Sequence, residues 1–106
     1  MNTMIKKYVD QGFMTEAEGN YINEAIQNKH SIIVSGHRSA GIRPLMATLM
    51  AVAKSNFESV QVKGFEDLEN DTEYFLIPGL DNLDFEKLIF EAMKKPNTSF
   101  ITIKEP

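Results

Sequence analysis

The apolar positions of this chain change their period from segment to segment, and the changes mark its elements. Met4, Ile5, Tyr8 and Val9 recur at helical spacing from Thr3 to about Asp10, and Gly12 ends that helix. Thr15 and Glu18 stand at the spacing of a capping box, in which hydroxyl and carboxylate each satisfy an exposed backbone N–H, so a second helix begins at Thr15. Tyr21, Ile22, Ala25 and Ile26 form its apolar stripe, and Asn28 and Lys29 close it. Ile32, Ile33 and Val34 then follow one another without alternation, which predicts a strand buried on both faces, as in a parallel sheet.

Beyond residue 41 the helical period returns. Pro44 falls in a first turn, where its missing N–H loses no helical bond, and Leu45, Met46, Leu49, Met50, Val52 and Ala53 make a broad apolar face. Val60 and Val62 alternate with polar neighbours in a second strand, and Tyr74 to Ile77 form a third, closed by Pro78-Gly79. Phe85, Leu88, Ile89, Ala92 and Met93 stand at i, i+3, i+4, i+7 and i+8 of an amphipathic helix that Asp84 caps and Pro96 stops. Phe100, Ile101 and Ile103 make the last strand. Strands alternating with helices predict a three-layer α/β domain with a mainly parallel sheet of about four strands and helices on both faces. Residues 1–106 read as a single domain, with 1–30 a helical lead-in and 31–106 the strand and helix core.

Composition narrows the chemistry. The chain has no cysteine, which excludes disulfides, thiolate metal sites and a cysteine nucleophile. Its formal net charge is −4 and its eleven basic residues are dispersed, which argues against a nucleic-acid surface. No apolar run approaches the 18 or so residues that span a bilayer, and nothing at the N-terminus reads as a signal peptide, so no membrane insertion and a cytoplasmic setting are expected. Glu66, Asp67, Glu69, Asp71 and Glu73 lie together without an intervening base, but lack the Gly-centred loop of an EF-hand and read as a solvated loop. His30 and His37 are too few for a zinc site, and Ser35 and Ser39 read as turn hydroxyls. No resident metal or cofactor is expected.

The segment with the most chemistry in it is Ser31-Ile-Ile-Val-Ser-Gly36-His-Arg-Ser-Ala-Gly41-Ile-Arg-Pro-Leu45. An apolar strand enters a glycine, four residues pass, a second glycine follows and a helix begins, which is the G-x-x-x-x-G spacing of a phosphate-binding loop. Lys and then Ser or Thr belong next; Ile42 and Arg43 stand there instead. Taken alone, Gly36 and Gly41 also suit an ordinary strand–turn–helix connection.

Four segments in order resemble the secretion (traffic) ATPases, the P-loop motors of type II and type IV secretion, pilus assembly and conjugation. Tyr8 to Gly36 looks like the helix pair and strand that lead into that family's Walker A loop, and Gly36 to Leu45 stands where the family has G-G-T-G-S-G-K-T-T-L. Val62-Lys-Gly-Phe-Glu-Asp-Leu-Glu69 resembles the acidic box, a strand ending in Glu-Asp-x-x-Glu. Phe85 to Glu105 resembles the Walker B region, with Pro96-Asn97 in place of Pro-Asp and Lys104-Glu105 in place of Gly-Glu.

The resemblance implies a P-loop NTPase-like (RecA-like) half-core with Gly36, His37, Arg38, Ser39, Ala40, Gly41, Ile42 and Arg43 as its phosphate loop, and with Glu66 and Glu105 as the equivalents of the family's catalytic acids. Ile42 cannot place a positive charge on the outer phosphates, and Arg43 would repel the Mg²⁺ that the family's hydroxyl holds. The family's histidine box, its N-terminal domain and its C-terminal region have no counterpart in these 106 residues. The expected function is therefore that of a non-catalytic, degenerate relative acting by protein–protein contact or self-association, as regulator, decoy or assembly subunit. Tyr8 and Phe13 on the helix pair, and the edge near Tyr74 to Leu80, are its candidate contacts. The alternatives are a nucleotide- or phosphate-binding sensor that holds ATP or phosphate, and a minimal NTPase in which Arg38 or Arg43 replaces the lysine.

Overall fold

The computed structural model describes residues 1–36, 41–78 and 84–104; residues 37–40, 79–83 and 105–106 lie outside the described part. Helices α1 (Thr3–Asp10) and α2 (Glu16–Gln27) form the lead-in, followed by β1 (Ile32–Ser35), α3 (Ile42–Asn56), β2 (Ser59–Gln61), a 3₁₀ segment (Phe65–Glu69), β3 (Tyr74–Ile77), α4 (Phe85–Met93) and β4 (Ser99–Lys104). The capping box is present at α2: the Glu18 N–H donates to Thr15 Oγ1 at 3.1 Å and the Thr15 N–H to Glu18 Oε1 at 2.9 Å. Those bonds hold the Glu18 carboxyl below the usual carboxylate range. Asp84 caps α4 in the expected way, accepting from the Lys87 N–H at 3.1 Å.

The sheet is all parallel in the order β1-β4-β3-β2. Ile5, Ile26, Val34, Ile42, Leu49, Val52, Tyr74, Leu76, Ile101 and Ile103 pack together on one face, beneath α1, α2 and α3. On the other face, Val62, Leu68, Phe75, Ile77, Phe100, Leu88 and Ala92 join the strands to α4 and the 3₁₀ segment. Alternate residues of β3 and β4 thus serve opposite cores, which gives the three layers.

Tyr74 ties the lead-in to the sheet. Its buried hydroxyl donates toward the carbonyls that end α2, at 2.8 Å to His30 O and 3.4 Å to Ile26 O. Above it, Lys29 Nζ meets Glu73 Oε2 at 2.6 Å, and the Glu58 N–H also donates to Glu73, so the Glu73 carboxyl is held below its ordinary range. Burial pushes the Tyr74 phenol up from 10.0 to about 12. A raised folded-state pKa means that the neutral form is favoured by folding, so this contribution is intact below pH 10 and is lost as pH rises toward 12. Alkaline unfolding followed by circular dichroism should therefore show Tyr74→Phe flattening the loss of stability between pH 10 and 12, although the variant starts less stable at neutral pH.

Three expectations need correction. The Ile32–Val34 run is not buried on both faces: β1 is an outer strand, Val34 is buried, and Ile33 remains 53% exposed because α4 does not cover it. Tyr74 to Ile77 is not an edge but the interior strand β3, flanked by β2 and β4 and fully buried; Leu80 lies outside the described residues. The second strand stops at Gln61, so the acidic residues after it start a 3₁₀ segment rather than finish a strand. Asp67 explains that turn, because its Oδ2 accepts from the N–H groups of Lys63 at 2.7 Å and Gly64 at 3.1 Å.

Candidate functional site

In an open parallel sheet, ligands settle outside the carboxyl ends of the strands where successive connections leave for opposite faces. Here α3 carries the chain from β1 across one face, while α4 carries it from β3 across the other, so this rule points to the carboxyl ends of β1 and β4. The Gly36 N–H donates to Lys104 O at 3.3 Å and ties these two ends together. Gly36 therefore stands beside the chain that continues to Glu105, which itself lies outside the described residues, as do His37, Arg38, Ser39 and Ala40.

Gly36 and Gly41 border the expected phosphate loop, and both have backbones that favour glycine. Gly36 has φ 157° and Gly41 φ 75°. At Gly36 a second constraint acts, since an added Cβ would meet Ile42 Cγ2 at 3.1 Å. The side chain of Ile42, where the expected phosphate loop would have its lysine, is thus turned inward, under the end of β1. Ile42 is 6% exposed and belongs to the core shared by α1, α2, α3 and the sheet.

The start of α3 is thinly equipped for an anion. Gly41 caps it without a side chain, Pro44 has no N–H to offer, and the Leu45 N–H is engaged with Gly41 O at 3.4 Å. In the first turn Ile42 supplies a helix-terminal N–H, and Arg43 is an exposed cation. Such a terminus can attract negative charge through its dipole.

Glu66 sits elsewhere. It is exposed in the 3₁₀ segment that follows β2, and β2 is separated from β1 by two strands. Three strand spacings amount to about 14 Å, so Glu66 and the end of β1 do not share a first coordination sphere. Among the described residues no three His, Asp or Glu side chains come together as a metal-binding group, and no helix is long and apolar enough to cross a membrane.

One feature beside the loop was not legible as a unit in the sequence. The α1–α2 turn leans on the start of α3, and Met4, Lys7, Tyr8, Gln11, Phe13, Gly41, Pro44 and Thr48 enclose a groove of about 440 Å³. Tyr8 and Phe13 meet edge to face at 5.4 Å, and the Tyr8 hydroxyl lies 3.3 Å from Thr48 Oγ1. Tyr8 and Phe13 had appeared in the sequence only as contact candidates. Lys7 and Thr48 carry no signal, since their approach depends on how α1 crosses α3. No family model, curated protein or solved structure matches the chain.

Proposed function

We propose that this chain is a non-catalytic α/β domain of phosphate-loop ancestry, related to the secretion ATPase core, that works by contact with protein rather than by turnover. The observation that carries this reading is the inward, buried placement of Ile42 against Gly36. A motor needs a cation there that reaches outward to the terminal phosphate; an isoleucine packed under the strand end serves stability instead. The supporting details are Pro44 in the first turn and Glu66 two strands away from the loop. A cytoplasmic setting and a role as regulator, decoy or assembly subunit belong to the same proposal.

The deciding experiment is a sensitive phosphate-release assay with Mg²⁺ and ATP or GTP. The expected result is no release above background. Metal-dependent turnover abolished by Glu105→Gln would overturn the proposal and favour the minimal NTPase.

A second reading is favoured by the groove beside Gly41. Lys7 and the aromatic pair Tyr8–Phe13 border it, and it opens next to the start of α3, as a site for a small phosphorylated ligand would. This sensor would raise its melting temperature with nucleotide or inorganic phosphate without hydrolysing it, and Lys7→Ala would remove the rise.

A further inference from the structure

We infer that two copies of this chain pair through β1 into one continuous eight-stranded sheet, in the order β2-β3-β4-β1-β1-β4-β3-β2. This rests on the protein-contact reading and names the partner as a second copy. The starting observation is that, among the described residues, β1 pairs on one side only, with β4. Because the Gly36 N–H points to β4, the alternation of a strand directs the N–H and C=O groups of Ile33 and Ser35 to the open side. No partner for these outward groups is found among the described residues.

Open edges are ordinarily defended by charge, proline or a bulge. Ser31-Ile-Ile-Val-Ser35 has none of these, in a chain of which 25% is charged. Beside this edge, Ile33, Phe85, Ile89, Phe90 and Met93 line an apolar groove of about 330 Å³ between β1 and α4. Phe90 and Met93 are 59% and 68% exposed. Edge and groove are contiguous, so one occupant covers both.

The geometry fits a two-fold axis through Ile33. Ile33 opposite Ile33 of the second copy is then an antiparallel hydrogen-bonded pair, with Ser35 opposite Ser31 on either side. The outward backbone groups match themselves, as an isologous contact requires. Both Ile33 side chains point to the face that bears α4. The two α4 helices run antiparallel across the axis, with Phe90 and Met93 of each turned toward the paired isoleucines.

Charges on α4 agree with this arrangement. Glu86, Phe90 and Lys104 line the groove, and Lys94 Nζ, which also meets Glu91 Oε1 at 3.4 Å, lies 4.4 Å from the Phe90 ring centre. Glu86 and Lys94 are each four residues from Phe90, so reversal about the axis brings Glu86 of one copy toward Lys94 of the other. A parallel arrangement would set like charges together.

The chain's lack of cysteine makes the test direct. Opposed residues of a hydrogen-bonded antiparallel pair stand about 5.5 Å apart at Cα, within the span of a disulfide. Ile33→Cys is expected to form a disulfide-linked dimer under mild oxidation, much faster than Tyr21→Cys, which places a thiol on a 76% exposed site of α2. Light scattering on the unmodified chain over a range of concentration should show reversible dimers. Ile33→Lys, at an exposed position that leaves the monomer's core untouched, should weaken them about 100-fold through like charges at the axis.

A chain that stays monomeric throughout, a dimer unchanged by Ile33→Lys, or equal cross-linking of the two cysteine variants overturns the inference. Open-ended aggregation in place of a closed dimer does so as well. None of these outcomes bears on phosphate release, so the protein-contact reading fails or stands by its own assay.

Discussion

Ile42→Lys is expected to lower the stability of the fold by about 2–4 kcal/mol and to bring no gain in nucleotide affinity. The substitution introduces the residue type that a working phosphate loop has after its second glycine, so its failure would be informative. Ile42 packs with Val34 and Leu49 and lies against Gly36. A lysine there must bury its ammonium or withdraw its stem from the core to reach water, and each choice forfeits part of the isoleucine's packing. Total stability for a domain of this size is only about 5–15 kcal/mol, so the loss should shift the urea midpoint clearly. Ile42→Val, which keeps the side chain apolar, should cost about 0.5–1.5 kcal/mol and calibrates the site. The double variant Ile42→Lys with Arg43→Thr should likewise bind no Mg·ATP. If Mg·ATP returns the midpoint of either lysine variant to that of the original chain, the lysine reaches a bound phosphate, and the inward, core-bound placement of residue 42 no longer argues against a nucleotide in the loop.

Sequence legibility was greatest where the cause is local. The helix that Thr15 and Glu18 begin and the one that Asp84 begins both rest on hydrogen bonds spanning three residues, and both start where the pattern places them. Strand β3 was equally clear, because four apolar residues bounded by Glu73 and Pro78 leave little choice. What the pattern could not carry was lateral order. A run such as Ile32–Val34 is the same string whether its strand ends up inside the sheet or at its rim, and Tyr74–Ile77 gives no sign of having neighbours on both sides. Order is decided by which helix faces match, and that depends on residues far apart in the chain.

The candidate site shows the same division. The glycine spacing located the turn from β1 to α3, yet the inward direction of the Ile42 side chain follows from packing with α1 and α2. The acids of residues 66–73 form one cluster in the sequence but serve separate ends. Asp67 holds the 3₁₀ turn, Glu73 pairs with Lys29, and Glu66 faces solvent. Proximity in the chain does not make them one site.

Phe75→Ala should be the most damaging single truncation, at about 3–5 kcal/mol. Phe75 is fully buried on β3, aligned with Val60 on one side and Phe100 on the other. It packs with Val62, Leu68, Leu88 and Ala92 on the face where α4 and one 3₁₀ segment supply the cover. That layer is thin, and β3 is fixed by strands on both sides, so little can move in to fill the space a phenyl ring leaves. The comparison that gives the measurement its force is Phe90→Ala. Phe90 lies on the outward side of the same layer, 59% exposed, and its truncation in the monomer should fall within about 0.5 kcal/mol. Urea unfolding at a concentration low enough to keep the chain monomeric separates the two. At higher concentration, Phe90→Ala should acquire a cost of its own if β1 pairing draws that ring into an interface, because association stabilises the folded state by mass action. Equal effects of the two substitutions in the monomer would show that α4 does not present these opposite faces, and both the packing of the second layer and the groove beside β1 would have to be abandoned.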